Sequence, residues 1–320
     1  MTRYVKAAVV QAGTVLFDTP KTLAKLADLA RQASAGGAEI AVFPEAFVGG
    51  YPKGLDFGAR LGSRTPGGRE DFRRYYDSAI AVPGPETEEI GRIARINGLH
   101  LVVGVIERGG GTLYCTALIF GPDGSLLGKH RKLMPTALER LVWGFGDGST
   151  LPVAETGIGR IGAVICWENY MPLLRTAMYA KGIELYCAPT ADDRETWLPT
   201  MRTIAMEGRC FVLSACQYLT RGDCPSDYGA AEAEEPSTVL MRGGALIVDP
   251  LGNILVEPSF EGEAVRFAEL DFAAIARGKY DFDVVGHYAR PDVFRLTVDT
   301  RPQAPVSFTA PQAGERADEE

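Results

Sequence analysis

Short apolar runs alternate with helical periods along most of this chain, and that order restricts it to folds in which helices cover a mixed β-sheet. Residues 5–11 read as a strand, and residues 22–35 place Leu23, Leu26, Ala27 and Ala30 at helical spacing. A strand over 39–43, a helix over 86–97 and a strand over 99–107 follow. Gly109-Gly110-Gly111 then turns the chain into 112–120, and Pro122-Asp123-Gly124 returns it along 125–129, as expected of hairpins. Beyond these lie strand patterns at 160–165, 184–189 and 210–216, with helical periods at 171–182 and 196–208 between them. A hairpin over 245–256 and a strand over 265–270 close the pattern. Hairpins interleaved with βα units imply mixed sheets with helices on their outward faces. Residues 2–276 read as one domain. Residues 277–310 lack a strong period but carry Tyr280, Phe282, Tyr288 and Phe294, which suits an ordered extension that wraps the body or meets another subunit. Residues 311–320 are expected to be disordered.

The bulk properties exclude several classes. The 320 residues are 46% hydrophobic and 23% charged, with a net charge of −8 and a pI near 5.2. Such an acidic balance argues against a nucleic-acid or membrane-surface partner. No apolar stretch is long enough to span a bilayer, and the first residues enter a strand pattern without a signal-peptide profile, so the cytoplasm is the expected compartment. The six cysteines include no C-x-x-C pair and the three histidines form no ligand pattern. Reduced thiols, no metal and no cofactor are expected. The glycines of 144–148 are not followed by Gly-Lys-Ser/Thr, which leaves little case for a phosphate loop.

Three strand ends carry polar residues out of apolar surroundings. The run 160–165 ends in Cys166-Trp167-Glu168-Asn169 just before a helical period. That places a thiol where open α/β sheets bind ligands and where a helix N-terminus favours the thiolate. Alone, such a cysteine is more often a packing residue. Residues 40–44 lead directly into Glu45, and a carboxylate there is costly unless it is paired or functional. The basic run Lys129-His130-Arg131-Lys132 continues strand spacing, so Lys132 shares a face with His130, opposite Lys129 and Arg131. Glu139 lies seven residues beyond Lys132.

These segments together resemble the nitrilase (carbon–nitrogen hydrolase) superfamily, which is built on a Glu–Lys–Cys triad. Phe43-Pro44-Glu45-Ala46-Phe47, His130-Arg131-Lys132-Leu133-Met134-Pro135-Thr136 and Gly162-Ala163-Val164-Ile165-Cys166-Trp167-Glu168-Asn169 resemble the three catalytic segments in the right order. The Cys-Trp-Glu form is similar to the nitrilase branch, and the likeness is greatest to plant-type and related bacterial nitrilases. The resemblance implies an α/β fold, a four-layer α-β-β-α sandwich of two mixed sheets with outer helices. It implies hydrolysis of a nitrile to the carboxylic acid and ammonia through a covalent Cys166 thioimidate. In that scheme Glu45 is the general base, Lys132 stabilises developing charge and Glu139 orients Lys132. Trp167, Glu168, Tyr51, Trp143, Pro189 and Thr190 adjoin the motifs and are candidate substrate contacts. A nearby ammonium and a helix N-terminus are expected to depress the thiol pKa by about one or two units. The alternatives are a nitrile or cyanide hydratase that releases the amide, or an amidase. The partners implied are a small nitrile, water and further copies of the chain, as a dimer or a larger spiral. The acidic segment 223–236 is a candidate surface or interface loop.

Overall fold

The computed structural model describes residues 3–229, 235–304 and 306. The expected tail 311–320 and the middle of the 223–236 loop lie outside these residues. Two six-stranded sheets form the body. The first uses β1 (Tyr4–Gln11), β2 (Ile40–Val42), β3 (His100–Gly109), β4 (Thr112–Phe120) and β5 (Leu126–Arg131). The second uses β6 (Val153–Thr156), β7 (Gly159–Ala163), β8 (Leu185–Cys187), β9 (Phe211–Ser214), β10 (Leu246–Val248) and β11 (Ile254–Val256). The last strand, β12 (Ala264–Asp271), returns to the first sheet, giving the orders β12-β1-β2-β3-β4-β5 and β11-β10-β9-β8-β7-β6. Each sheet has a parallel centre, β1-β2-β3 and β7-β8-β9, flanked by antiparallel strands.

Side-chain alternation builds the layers. On β1, Val5, Ala7 and Val9 join Ile161, Ala163 and Leu213 of the second sheet in one core between the sheets. Ala8 and Val10 face the other way, against Leu26 and Ala30 of α1 (Thr19–Ala35) and Ile90 and Ile93 of α3 (Pro85–Asn97). Val164 and Val212 likewise pack against Met178 of α4 (Pro172–Ala180) and Met201 of α5 (Trp197–Gly208). The result is the four-layer α-β-β-α sandwich, with strands pleated so that successive residues serve different cores.

The differences from the sequence reading have local causes. Helix α1 begins three residues before residue 22 because the Asp18 side chain accepts the Lys21 N–H at 3.0 Å and Pro20 occupies the first turn, a favourable start for a helix. Helix α2 (Pro66–Ser78) was not anticipated: it fully buries only Gly68, Tyr75 and Ser78, and its short apolar face of Phe72, Tyr75 and Tyr76 is set among charged residues. The boundary expected after residue 276 falls inside α6 (Ala273–Asp281). From there to 304 the described residues hold no helix or strand, and Tyr288 and Phe294 stand exposed.

Candidate active site

Glu45 lies three residues past β2. The chain stays paired through Phe43, whose N–H donates to Val102 O at 2.8 Å, and then bends at Ala46 with φ +50°. Gly104 on the neighbouring strand makes room for this bend, since a Cβ there would sit 2.2 Å from Pro44 O. Gln217 Nε2 holds the loop by donating to Glu45 O at 2.8 Å. The carboxylate is fully buried. Its Oε1 accepts from Lys132 Nζ at 2.7 Å and Oε2 from Ala191 N at 2.9 Å. The Cys115 thiol donates to Oε1 at 3.5 Å.

The basic run is divided by the pleat of β5. Lys129 and Arg131 pair with the buried Glu107 at 2.8 and 2.7 Å. His130 and Lys132 are fully buried. Lys132 Nζ bridges Glu45 and Glu139, the second at 2.8 Å, and lies 5.5 Å from the Trp143 ring centre. Glu139 sits in the short turn Ala137–Leu141, where it also accepts from Thr136 N at 2.6 Å and from the Tyr51 hydroxyl at 2.8 Å. The 144–148 glycine loop is a packing device: Gly146 N donates to Lys132 O at 2.8 Å, and a Cβ at Gly146 would meet Arg131 O at 2.2 Å.

Cys166 turns the chain out of the second sheet. The expected strand over 160–165 hydrogen-bonds as Gly159–Ala163, and the 3-10 turn Cys166–Tyr170 follows, with Cys166 at φ +50°. A non-glycine residue in that region costs about 1–3 kcal/mol and persists only where neighbours fix it. Here Cys166 N donates to Pro189 O at 2.9 Å, and Asn169 Nδ2 donates to Val164 O and Cys166 O at 3.0 and 2.7 Å. The Thr190 hydroxyl donates to Cys166 Sγ at 3.2 Å, with its own oxygen fixed by Asp192 N at 2.9 Å.

Electrostatics in this cluster differ from the sequence expectation at the thiol. Burial and then the charge of Glu45 push the Cys166 pKa up, against the opposing pull of Lys132. Burial thus favours the neutral thiol, and the ammonium that opposes it is shared with two carboxylates. Burial also raises the Glu45 carboxyl, opposed by Lys132 and the Cys166 thiol. Burial disfavours the Lys132 charge, but Glu45 and the surrounding acidic groups outweigh it and hold the ammonium well above its ordinary value. A thiol beside a carboxylate of raised basicity is suited to proton transfer at the moment of attack.

A cavity of about 180 Å³ opens over this cluster, lined by Tyr51, Thr136, Glu139, Cys166, Trp167 and Ala191, with Lys53, Asp192, Asp193 and Arg194 at its charged side. It shares Tyr51, Lys53, Thr136 and Glu139 with a second cavity of about 400 Å³, walled by Leu55, Phe57, Leu138, Leu141, Val142 and Trp143. Tyr51 and Trp167 line the first space and Tyr51 and Trp143 the second. Thr190 reaches the thiol, whereas Pro189 contributes its carbonyl to the Cys166 turn. Glu168 does not reach either cavity: it is buried and turned toward Ile165, Leu133 and His130. Sequence reasoning missed Asp192, which accepts from Trp167 Nε1 at 2.8 Å, and Arg194, which clasps Asp192 and stacks 4.7 Å from the Trp167 ring centre. The available signal was an acidic-basic group directly after the strand-end Thr190. Among the described residues no group of His, Cys, Asp and Glu is arranged to hold a metal, and no helix is long and apolar enough to cross a membrane.

The carbon-nitrogen hydrolase family profile matches residues 6–280. The chain belongs to the carbon–nitrogen hydrolase family. Within the curated members of that family, an aliphatic nitrilase of Sinorhizobium fredii is 62% identical over 96% of this chain and 99% of its own length. A bifunctional nitrilase/nitrile hydratase of Lupinus angustifolius is 58% identical over 96% of this chain and 89% of its own. The crystal structure of a carbon-nitrogen hydrolase from Helicobacter pylori superposes with a TM-score of 0.70 at 21% identity, covering 91% of this chain and 97% of that one. This carbon–nitrogen hydrolase therefore shares its sandwich with members of distant sequence.

Proposed function

We propose that this carbon–nitrogen hydrolase is a nitrilase, converting an organic nitrile and two waters to a carboxylic acid and ammonia. The observation that carries the reading is the convergence of Cys166, Glu45 and Lys132 from three strand ends, with Glu139 from the turn after Lys132, into one buried cluster beneath a cavity. The likeness to proteins named as nitrilases supports it. Glu45 takes the Cys166 proton as Sγ attacks the nitrile carbon, and that proton passes to the nitrile nitrogen, giving a thioimidate. Thr190 donates to the sulfur while its charge develops. Water activated by Glu45 adds to the thioimidate, and Lys132 offsets the negative charge of the tetrahedral species. Cleavage of the C–N bond expels ammonia and leaves an acyl thioester, which a second water hydrolyses to the acid and the free thiol. Glu139 is the second carboxylate that fixes the Lys132 ammonium.

Cleavage of the C–S bond from the same tetrahedral species releases the amide instead, and the bifunctional relative makes this second product worth measuring. Ammonia counted per nitrile consumed tests the assignment: a ratio near one supports acid formation, and a ratio near zero with amide accumulating overturns it. The apolar walls of the second cavity suit the hydrocarbon body of an aliphatic or arylaliphatic nitrile. The C-terminal segment leaves Tyr280, Tyr288 and Phe294 exposed, and their burial against a second copy of the chain fits a homo-oligomer. Light scattering on the purified protein checks it: a monomeric mass would exclude this proposal.

A further inference from the structure

Glu168 is two residues past the proposed nucleophile, yet it serves both sides of the site. Its Oε1 accepts the Leu133 N–H at 2.6 Å and its Oε2 accepts the Ile165 N–H at 3.0 Å. Leu133 follows Lys132 and Ile165 precedes Cys166, so one buried carboxylate ties the segment bearing the ammonium to the segment bearing the thiol. His130 completes the arrangement. Its Nε2 lies 2.9 Å from Glu168 Oε2, and its Nδ1 lies 2.6 Å from Thr150 O. A carbonyl oxygen only accepts, so Nδ1 carries a proton. With Glu168 as the carboxylate, Oε2 only accepts and Nε2 carries a proton as well. In that pairing His130 is an imidazolium facing a carboxylate, with both partners fully enclosed.

The surroundings leave that charge to Glu168. On the same strand Lys129 and Arg131 turn away to Glu107. On the α4 side Arg175 donates to Asn169 O at 2.8 Å and pairs with Glu207, and Lys181 donates to the Leu151 carbonyl. The Tyr186 phenol of β8 also feels the Glu168 charge. Among the described residues Glu168 is the one charged side chain hydrogen-bonded to the imidazole. Burial opposes protonation of His130, while the Glu168 charge, its hydrogen bond and the Thr150 carbonyl hold the ring above its ordinary pKa.

We propose that His130 and Glu168 are positioning residues, a buried imidazolium–carboxylate pair that sets the register of Lys132 against Cys166, and that loss of the His130 proton sets the alkaline limit of turnover. The inference rests on Cys166 being the nucleophile and Lys132 its charge partner. An error of about 1 Å in such a register costs about 100-fold in rate.

The test uses the full chain as wild type and as His130→Gln, Glu168→Gln and Cys166→Ala. Nitrogen NMR of ¹⁵N-histidine protein, with the signal assigned by its loss in His130→Gln, reads the charge of the ring directly. Both ring nitrogens should be protonated at pH 7, and their titration midpoint should coincide with the alkaline fall in wild-type kcat for an arylaliphatic nitrile. Glu168→Gln should lose about 100-fold in kcat with KM changed less than about threefold. His130→Gln keeps a neutral donor toward Glu168, so it should be slower but lack the alkaline fall. A neutral ring at pH 7, or an unchanged alkaline fall in His130→Gln, would overturn the proposal even if Glu168→Gln fails to fold. Turnover by Cys166→Ala would overturn the nucleophile reading instead, so the two failures are distinguishable.

Discussion

Replacing Lys132 with methionine keeps most of the side-chain volume and removes the charge that two carboxylates share. In the native site the ammonium lies 2.7 Å from Glu45 and 2.8 Å from Glu139, with Lys132 and Glu45 fully enclosed. Removing one partner of a buried pair costs about 3–5 kcal/mol, because a charge is left uncompensated. Glu45, whose carboxyl burial already raises, can relieve this by binding a proton, which lifts its folded pKa further above the unfolded one. A raised carboxylate pKa destabilises above the unfolded value and not below it. The stability deficit of Lys132→Met relative to wild type should therefore be small near pH 4 and grow to its full size by pH 7–8. Activity should suffer twice, since a protonated Glu45 is no base and the developing charge has lost its partner. Base catalysis is worth about 10²–10⁴ and one charge-stabilising donor about 10²–10³. The groups act as a unit, so the losses do not multiply fully, and a fall of at least about 10³ in kcat/KM is expected. Thermal unfolding at pH 4, 6 and 8 with ammonia release at pH 7.5 reads both effects. Activity within tenfold of wild type, or a stability deficit that shrinks with rising pH, would refute the reasoning.

The remaining expectations concern single contacts. Thr190→Val removes the hydroxyl that donates to Cys166 Sγ and strips Asp192 N of its acceptor, so iodoacetamide should alkylate Cys166 about tenfold more slowly, as the loss of one hydrogen bond of about 1.4 kcal/mol implies; an unchanged rate would contradict this. Gly104→Ala places a methyl 2.2 Å from Pro44 O, and a melting temperature equal to wild type would show that the Glu45 loop does not need that close approach. In the kcat/KM–pH profile the acid fall should lie above the usual carboxylate range, because burial raises the Glu45 carboxyl. His130, held above its ordinary value, contributes stability that is fully present below about pH 6.5 and lost as pH rises through its folded pKa; the melting difference between wild type and His130→Gln should narrow accordingly.

Much of this architecture was legible because pleated strands and amphipathic helices write their burial into the sequence. The run 5–11 alternates between two cores, and α1, α3 and α5 each carry an apolar face. Helix α2 was invisible because its buried residues are mostly small or polar, and its start is set by Thr65 capping Gly68 N at 3.0 Å. The triad candidates could be picked out as polar residues at strand ends, where burial without a partner would be costly. Their protonation could not, since it depends on distances between segments far apart in the chain. A lone reading of the Lys132 region predicts a depressed thiol, whereas burial, together with the charges of Glu45 and Glu139, raises it against that ammonium. Glu168 was misjudged for a related reason: adjacency to Cys166 suggested the pocket, but the turn at φ +50° directs its carboxylate back to the Ile165 and Leu133 amides.

Two thiols contact the Glu45 region, Cys166 beneath the cavity and Cys115 behind it at 3.5 Å from Oε1. Only Cys166 faces the space a nitrile would occupy. Rapid quenching of the enzyme during turnover, followed by peptide mass spectrometry, tests the central claim most directly. The account predicts a mass increase on the Cys166 peptide equal to the whole nitrile for the thioimidate, or to the acyl group less one hydrogen for the thioester, and none in Cys166→Ala. Turnover with no adduct on Cys166, or an adduct on Cys115, would contradict it.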